Sequence, residues 1–367
     1  MARWPLFLDR LDPASDSARL ERDSPPEQAP RKDSMRSELR NWGEILRTQN
    51  LSPGRALDPV SRWLLIARAS LFPLTIASGA IGGLLAVGNP SARWGCFAIA
   101  FFALILAQAA NNMINDFLDL ETGIDPDEYR RVQHAPHPIF SGLISKTGLI
   151  LAIALAELLV LGSILYLTEV QGWPVAAFAL LGLFVGVGYA APPIQLKHRG
   201  LGEPAVALVW GPLMVGGTYF ATTGGLEPWI LVASLPYALL VTAVLIGKHI
   251  DKIEFDAQRG IETLPVRMGV DRALFLNQQL MVLFFVFVIC LVLVGKVGIW
   301  ALLVIVAAPQ LWRALRIHSQ PRPESAPPGF PYWPLWYAVP TFSLARIAGA
   351  LFVLALLLDA IFPMPLG

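Results

Sequence analysis

The chain has 367 residues, of which 55% are hydrophobic and only 15% charged, and its mean hydropathy is +0.55. A soluble domain carries about a quarter charged residues, so this composition points to a polytopic membrane protein. A formal net charge of +1 excludes nucleic acid as a partner held by global charge. The two cysteines, Cys96 and Cys290, both lie in apolar stretches, which argues against a disulfide framework or a thiolate metal site.

Residues 1–60 differ in kind from the rest. The stretch "DPASDSARLERDSPPEQAPRKDS" is rich in Pro, Ser and charge and reads as a disordered tail, with no apolar core of a signal peptide. Within 35–51, Met35, Leu39, Trp42, Ile45 and Leu46 recur at helical spacing beside Arg36, Arg40 and Arg47. That pattern suits either an interfacial helix or a solvated linker helix. Met35 is an alternative start. From 61 to 367 the chain reads as one transmembrane domain. Apolar segments near 64–87, 94–117, 147–168, 173–192, 202–222, 229–250, 273–295, 297–312 and 341–362 predict an all-α bundle of about nine transmembrane helices, the eighth being short. With that map, only Arg93 and Lys296 of the 28 Lys and Arg residues fall in loops on one side, and only Arg68 and Arg346 fall inside spans. The bias places the N-terminus and all the polar loops in the cytoplasm of a multi-pass inner-membrane protein.

The second span ends in "NNMINDFLDLETGID". Gln108, Asn112, Asn115 and Asp119 follow at four, three and four residues and share one helix face. Asp116 and Asp119 project together, and Gly123 is expected to end the helix and let Asp125 fold back. Hard oxygen donors without His or Cys suit Mg²⁺, which commonly shares its coordination with substrate phosphates. A second acidic loop, "GKHIDKIEFDAQRGIETLPVRMG", closes the sixth span with Lys248, Asp251, Glu254 and Asp256. Asp251 and Glu254 can share a face. Asp256 cannot share it with Asp251 on a straight helix, so either the helix breaks or Glu254 is the inner ligand. Between the two loops lies "GYAAPPIQLKHRGLGE", with Lys197 and Arg199. Two carboxylate clusters with cations between them suit a diphosphate bridged by metal.

These motifs resemble the UbiA-type intramembrane prenyltransferase superfamily. "NDFLDLETGID" is similar to its first aspartate-rich motif, most like that of the 1,4-dihydroxy-2-naphthoate polyprenyltransferases of menaquinone synthesis. "YAAPPIQLKHRGLGEPAVALVWGPLMVGGTYF" and "DAQRGIETLPVRMG" resemble two later segments, and the resemblance covers about 64–362. It implies Mg²⁺-dependent transfer of a polyprenyl group from a polyprenyl diphosphate to a small aromatic acceptor. The catalytic and metal residues so implied are Asp116, Asp119 and Asp125 at one site and Asp251, Glu254 and Asp256 at the other. Asn112, Asn115, Arg68, Tyr189, Lys197 and Lys248 are then implied to bind substrate. Two departures stand out: naphthoate enzymes commonly carry Asn-Asn-x-Arg-Asp where this chain has "KHIDK", and the proline that usually follows the first-span arginine is Ala69 here. Homogentisate, 4-hydroxybenzoate, chlorophyllide and glycerol phosphate lipids are the alternative acceptors.

Other readings compete with this one. Intramembrane carboxylates also serve coupled transport, although transporter sites sit near the midplane and these acids cluster at one end. A catalytically silent relative is a third class. Glu157, inside the third span, reads as a helix–helix hydrogen bond or a cavity residue, and His134 and His137 read as incidental loop histidines.

Overall fold

The computed structural model describes residues 34–121, 135–328, 330 and 332–364. The chain divides into two units, Met1–Arg40 and Asn41–Gly367. Its helices are α1 (Ser34–Thr48), α2 (Pro59–Ile66), α3 (Phe72–Leu84), α4 (Trp94–Glu121), α5 (Lys146–Gln171), α6 (Pro174–Ala190), α7 (Gly202–Thr223), α8 (Pro228–Ile250), α9 (Ile253–Gln258), α10 (Leu264–Met268), α11 (Val270–Leu293), α12 (Ile299–His318) and α13 (Ala338–Ile361). Among the described residues, seven of these (α4, α5, α7, α8, α11, α12 and α13) are long and apolar enough to cross a membrane. The pair α2 and α3, bent by 69° at a short break, passes the same test only together, which brings the count to eight where the pair is one span. The 17-residue apolar α6 stands where the fourth span was expected. The protein is a multi-pass integral membrane protein.

Local chemistry explains where these helices start. Asp58 caps α2 by accepting the Ser61 amide at 2.9 Å, and Pro59 follows where its missing N–H costs nothing. Ser145 caps α5, and Pro174 and Pro228 open α6 and α8. The eighth span, short in sequence, begins as a 3₁₀ run over Ile299–Ala307. Its rise of about 2.0 Å per residue, against about 1.5 Å in an α-helix, carries few residues further. Pro212 removes one amide from α7, and the backbone there relaxes into a π-turn over Val209–Gly216. Ser78 donates to the Trp210 carbonyl at 2.8 Å, giving that loosened turn a partner from α3.

The core lies among α3, α7, α8, α11, α12 and α13, where Tyr219, Tyr237, Phe284 and Phe352 are fully buried. Lipid tails are as apolar as these side chains, so close packing rather than escape from water holds the spans together. Gly82 shows how close: a Cβ there would stand 2.5 Å from the Val215 carbonyl oxygen, so only glycine lets α3 meet α7. Burial grades from inside to outside. Two thirds of the apolar window of α8 is buried (67%), against 11% for α5.

Candidate active site

Alternation of the spans brings the ends of α4 and α8 to the same end of the bundle, together with the α6–α7 connection. The first acidic motif sits on α4. Asp116 is fully buried and is paired with Arg68, whose Nη2 and Nε both face its carboxylate, the latter at 3.3 Å. Arg68 occupies the break between α2 and α3 with φ of 52°, a left-handed backbone that a branched or bulky residue rarely adopts. Holding an arginine in that conformation is the kind of local strain that gathers at functional sites.

The stripe above Asp116 is a hydrogen-bonded ladder. Asn112 donates to the Ala67 carbonyl at 2.9 Å, Gln108 donates to Asn112 at 2.9 Å, and Thr75 donates to Gln108 at 3.3 Å. The first two rungs explain the four-residue spacing. Asn112 accepts from Gln108 one turn away and ties α4 to the carbonyl next to Arg68, so the ladder fixes both partners of the buried ion pair. Asn115 lies on α4 within this turn and is partly exposed. Asp119 belongs to α4, but its side chain, like all of Asp125, lies outside the described residues, as do the expected helix stop at Gly123 and His134.

His137 departs from its expected role as an incidental loop residue. It is fully buried, and its Nδ1 accepts the amides of Ile139 and Phe140, so its Nε2 carries the proton and donates to the Asp116 carbonyl oxygen at 3.2 Å. The ring stacks on Phe140. It therefore pins the Asp116 backbone, and spacing alone gives no hint of that contact.

The second motif is divided by a break in the helix. α8 ends at Ile250, and α9 restarts at Ile253, so Asp251 and Asp256 belong to different helices. Asp251 was expected to bind metal. Its carboxylate instead accepts the amides of Tyr337 (3.0 and 3.1 Å) and Ala338 (2.9 Å) at the start of α13, where a negative charge meets the positive end of the helix. Gly247 permits this junction, since a Cβ there would lie 3.0 Å from the Tyr337 carbonyl oxygen. Burial pushes the Asp251 carboxyl up to about 7, against the pull of the Tyr337 and Ala338 amides and of Arg322. Arg322 also donates to the Asp251 carbonyl oxygen at 2.9 Å and rests over the Trp333 ring. Glu254 is exposed and, with Asp251, lines a cavity of about 630 Å³ bounded by α11, the end of α12 and Arg322.

Asp256 faces elsewhere. Glu254 and Asp256 are two residues apart on α9 and so project from different sides. Asp256 is 1% exposed, and its Oδ2 has no hydrogen-bond partner. Its charge acts on Tyr189, His198 and His249, while Lys197 acts on His198 and His249. The His198 imidazole is driven down by burial and by Lys197. Lys248, in the last turn of α8, is exposed.

Sequence reasoning gave no role to Glu203 or His249, yet both are buried here. Glu203 accepts from His249 Nδ1 at 2.6 Å and from the Leu264 amide at 3.2 Å, and its Oε2 is buried without a partner. The available signal was an acidic residue at the head of an apolar span, in "GLGEPAVALVW".

Among the described residues no three His, Cys, Asp or Glu side chains converge as a metal site. The donor chemistry nonetheless fits a hard cation, because carboxylate and amide oxygens line this end and a buried, unpartnered Asp256 oxygen is unsatisfied without one.

A buried carboxylate–arginine pair on one span and a buried acid with an orphaned oxygen after another are groups expected of a membrane-embedded enzyme. The chain matches the UbiA prenyltransferase family model over residues 75–339 and belongs to that family of prenyltransferases. It is 26% identical over 220 residues to the 1,4-dihydroxy-2-naphthoate octaprenyltransferase of Bacillus subtilis, covering 60% of this chain and 70% of that protein. Its fold is similar to that of a UbiA homolog from Aeropyrum pernix, at a TM-score of 0.59 with 16% identity, covering 79% of this chain and 98% of that one. A UbiA homolog from Archaeoglobus fulgidus, solved with GPP and Mg²⁺, has a TM-score of 0.50 at 17% identity, covering 79% and 99%.

Proposed function

We propose that the protein transfers a polyprenyl group from its diphosphate to 1,4-dihydroxy-2-naphthoate or a closely similar aromatic acid, a step of menaquinone synthesis. The observation that carries this reading is the buried Asp116–Arg68 pair on the same end of the bundle as the orphaned oxygen of Asp256. Similarity to a naphthoate octaprenyltransferase supports the choice of acceptor.

Asp116, Asp119 and Asp256, with Asn115 and Asp125, would hold Mg²⁺. The metal would supply the positive charge that stabilises a departing diphosphate. Arg68 balances Asp116 before any cation arrives, and Lys197 and Lys248 add positive charge where leaving-group oxygens need it. The Asn112–Gln108–Thr75 ladder keeps this machinery in one geometry. Apolar walls between the spans exclude water from the allylic cation. The N-terminus and the site face the cytoplasm of the inner membrane, a reading supported by the Lys and Arg bias; a cysteine replacing Asp127 should resist labelling from outside intact cells.

Purified protein incubated with Mg²⁺, a set of prenyl diphosphates and a panel of acceptors tests the reading by mass spectrometry. A prenylated naphthoate product is expected. Consumption of homogentisate, 4-hydroxybenzoate or chlorophyllide alone would end the naphthoate assignment while leaving prenyl transfer intact.

A further inference from the structure

α5 is the least buried of the seven long spans, and Glu157 stands near its midpoint. The side chain is partly exposed, and it makes no hydrogen bond or ion pair among the described residues. Ile150, Ala154 and Leu161, on one side of it, are exposed, and Ile153 and Val160, on the other, are half-buried. No helix–helix hydrogen bond to Glu157 forms among the described residues, and it does not line the cavity beside Asp251.

Such a carboxyl is costly in hydrocarbon. Snorkelling does not rescue it. At about 1.5 Å per residue either end of α5 is more than about 15 Å away, several times the reach of a glutamate. Acyl tails offer no hydrogen bond, and the described residues of its own chain supply none. The missing partner must come from another molecule at the same depth.

We propose that α5 is a homodimer interface in which Glu157 of two copies of this chain hydrogen-bond to each other. A two-fold axis along the membrane normal sets identical residues of parallel helices at the same depth, so each copy brings the other a carboxyl at the level of its own. Two carboxyls that share protons are donor and acceptor to one another, a reciprocity that a lone carboxyl in lipid lacks. The face also permits close approach. Ala154, three residues before Glu157 and so on its face, is small and exposed. The active-site residues sit elsewhere, so the dimer does not depend on the acceptor assignment.

The full chain reconstituted in liposomes tests this, with dimer fraction read by single-molecule photobleaching across protein-to-lipid ratios. The wild type should dimerise, and Glu157→Gln, which still donates and accepts, should stay within a few-fold. Glu157→Leu should weaken association on the order of tenfold, while its prenyl transfer and melting temperature show that it has folded. In a Cys290→Ser background, which removes the exposed native thiol, Leu161→Cys should cross-link between copies and Leu354→Cys on α13 should not. A monomer at every density, equal dimerisation by Glu157→Leu, or cross-linking only through α13 would overturn the proposal.

Discussion

The two acidic motifs read alike in sequence and are built differently. On α4 the polar residues fall at four- and three-residue spacing on an unbroken helix, and the hydrogen bonds follow that spacing from Gln108 through Asn112 to the Arg68 junction. At the end of α8 the helix breaks, and the acids disperse: Asp251 into the head of α13, Glu254 into an open cavity, Asp256 into a buried cluster. A continuous helix lets spacing report geometry. A break lets neighbouring carboxylates take unrelated work, and spacing then reports little.

The largest expected effect is on the first motif. Asp116→Ala removes a proposed ligand and strands a buried guanidinium, so prenyl transfer should fall by about a thousandfold or more. Breaking a buried ion pair from one side costs about 3–5 kcal/mol, so the melting temperature should fall as well. Asp116→Asn, which still accepts a hydrogen bond from Arg68, should recover much of the stability and none of the activity. Equal turnover by Asp116→Asn and wild type would remove the metal role.

The helical architecture was legible because twenty-residue apolar runs leave few alternatives in a bilayer. Even the undersized eighth segment was read in place, and its 3₁₀ opening explains its length. In the site, Asp116, Asn112 and Arg68 were legible through periodicity and motif. The Asp251 cap, the His137 contact and the Glu203–His249 pair were not, since each joins residues 20 to almost 90 positions apart through backbone atoms or a tertiary fold. Helical spacing carries no information about such partners.

A finer test separates the acids of the second motif. Asp256→Asn should reduce transfer about a hundredfold or more with little change in melting, because its Oδ2 has no protein partner to lose. Asp251→Asn should do the reverse. It leaves one acceptor oxygen where two face the α13 amides, lowering stability by about 1–2 kcal/mol while kcat/KM stays within a few-fold. If Asp251→Asn were as inactive as Asp256→Asn and equally stable, the division of labour across the break would be wrong.

The smallest expected effect lies at the cap beneath the first motif. Asp58 holds the start of α2, the helix that ends beside Arg68, and it also accepts from Trp42 Nε1 at 3.0 Å. Burial pulls its carboxyl upward, but hydrogen bonds from Ser61 and Trp42 outweigh that and hold it at about 2, against an ordinary value of 3.8. An acid whose folded pKa is depressed stabilises the fold above its unfolded value, and that contribution is lost as pH falls through the folded one. Asp58 should therefore contribute in full above pH 4 and lose its contribution between about 4 and 2. Asp58→Ala should cost about 1 kcal/mol near neutrality and leave the acid limb of the melting profile flatter than wild type. Asp251 should behave oppositely, because its carboxyl is raised. Its ionisation costs stability as pH climbs from the unfolded value towards 7, so Asp251→Asn should flatten the neutral limb instead. Two aspartates that each secure a helix start beside one motif would then be told apart by the pH at which each matters, and matching profiles for the two variants would refute the contrast.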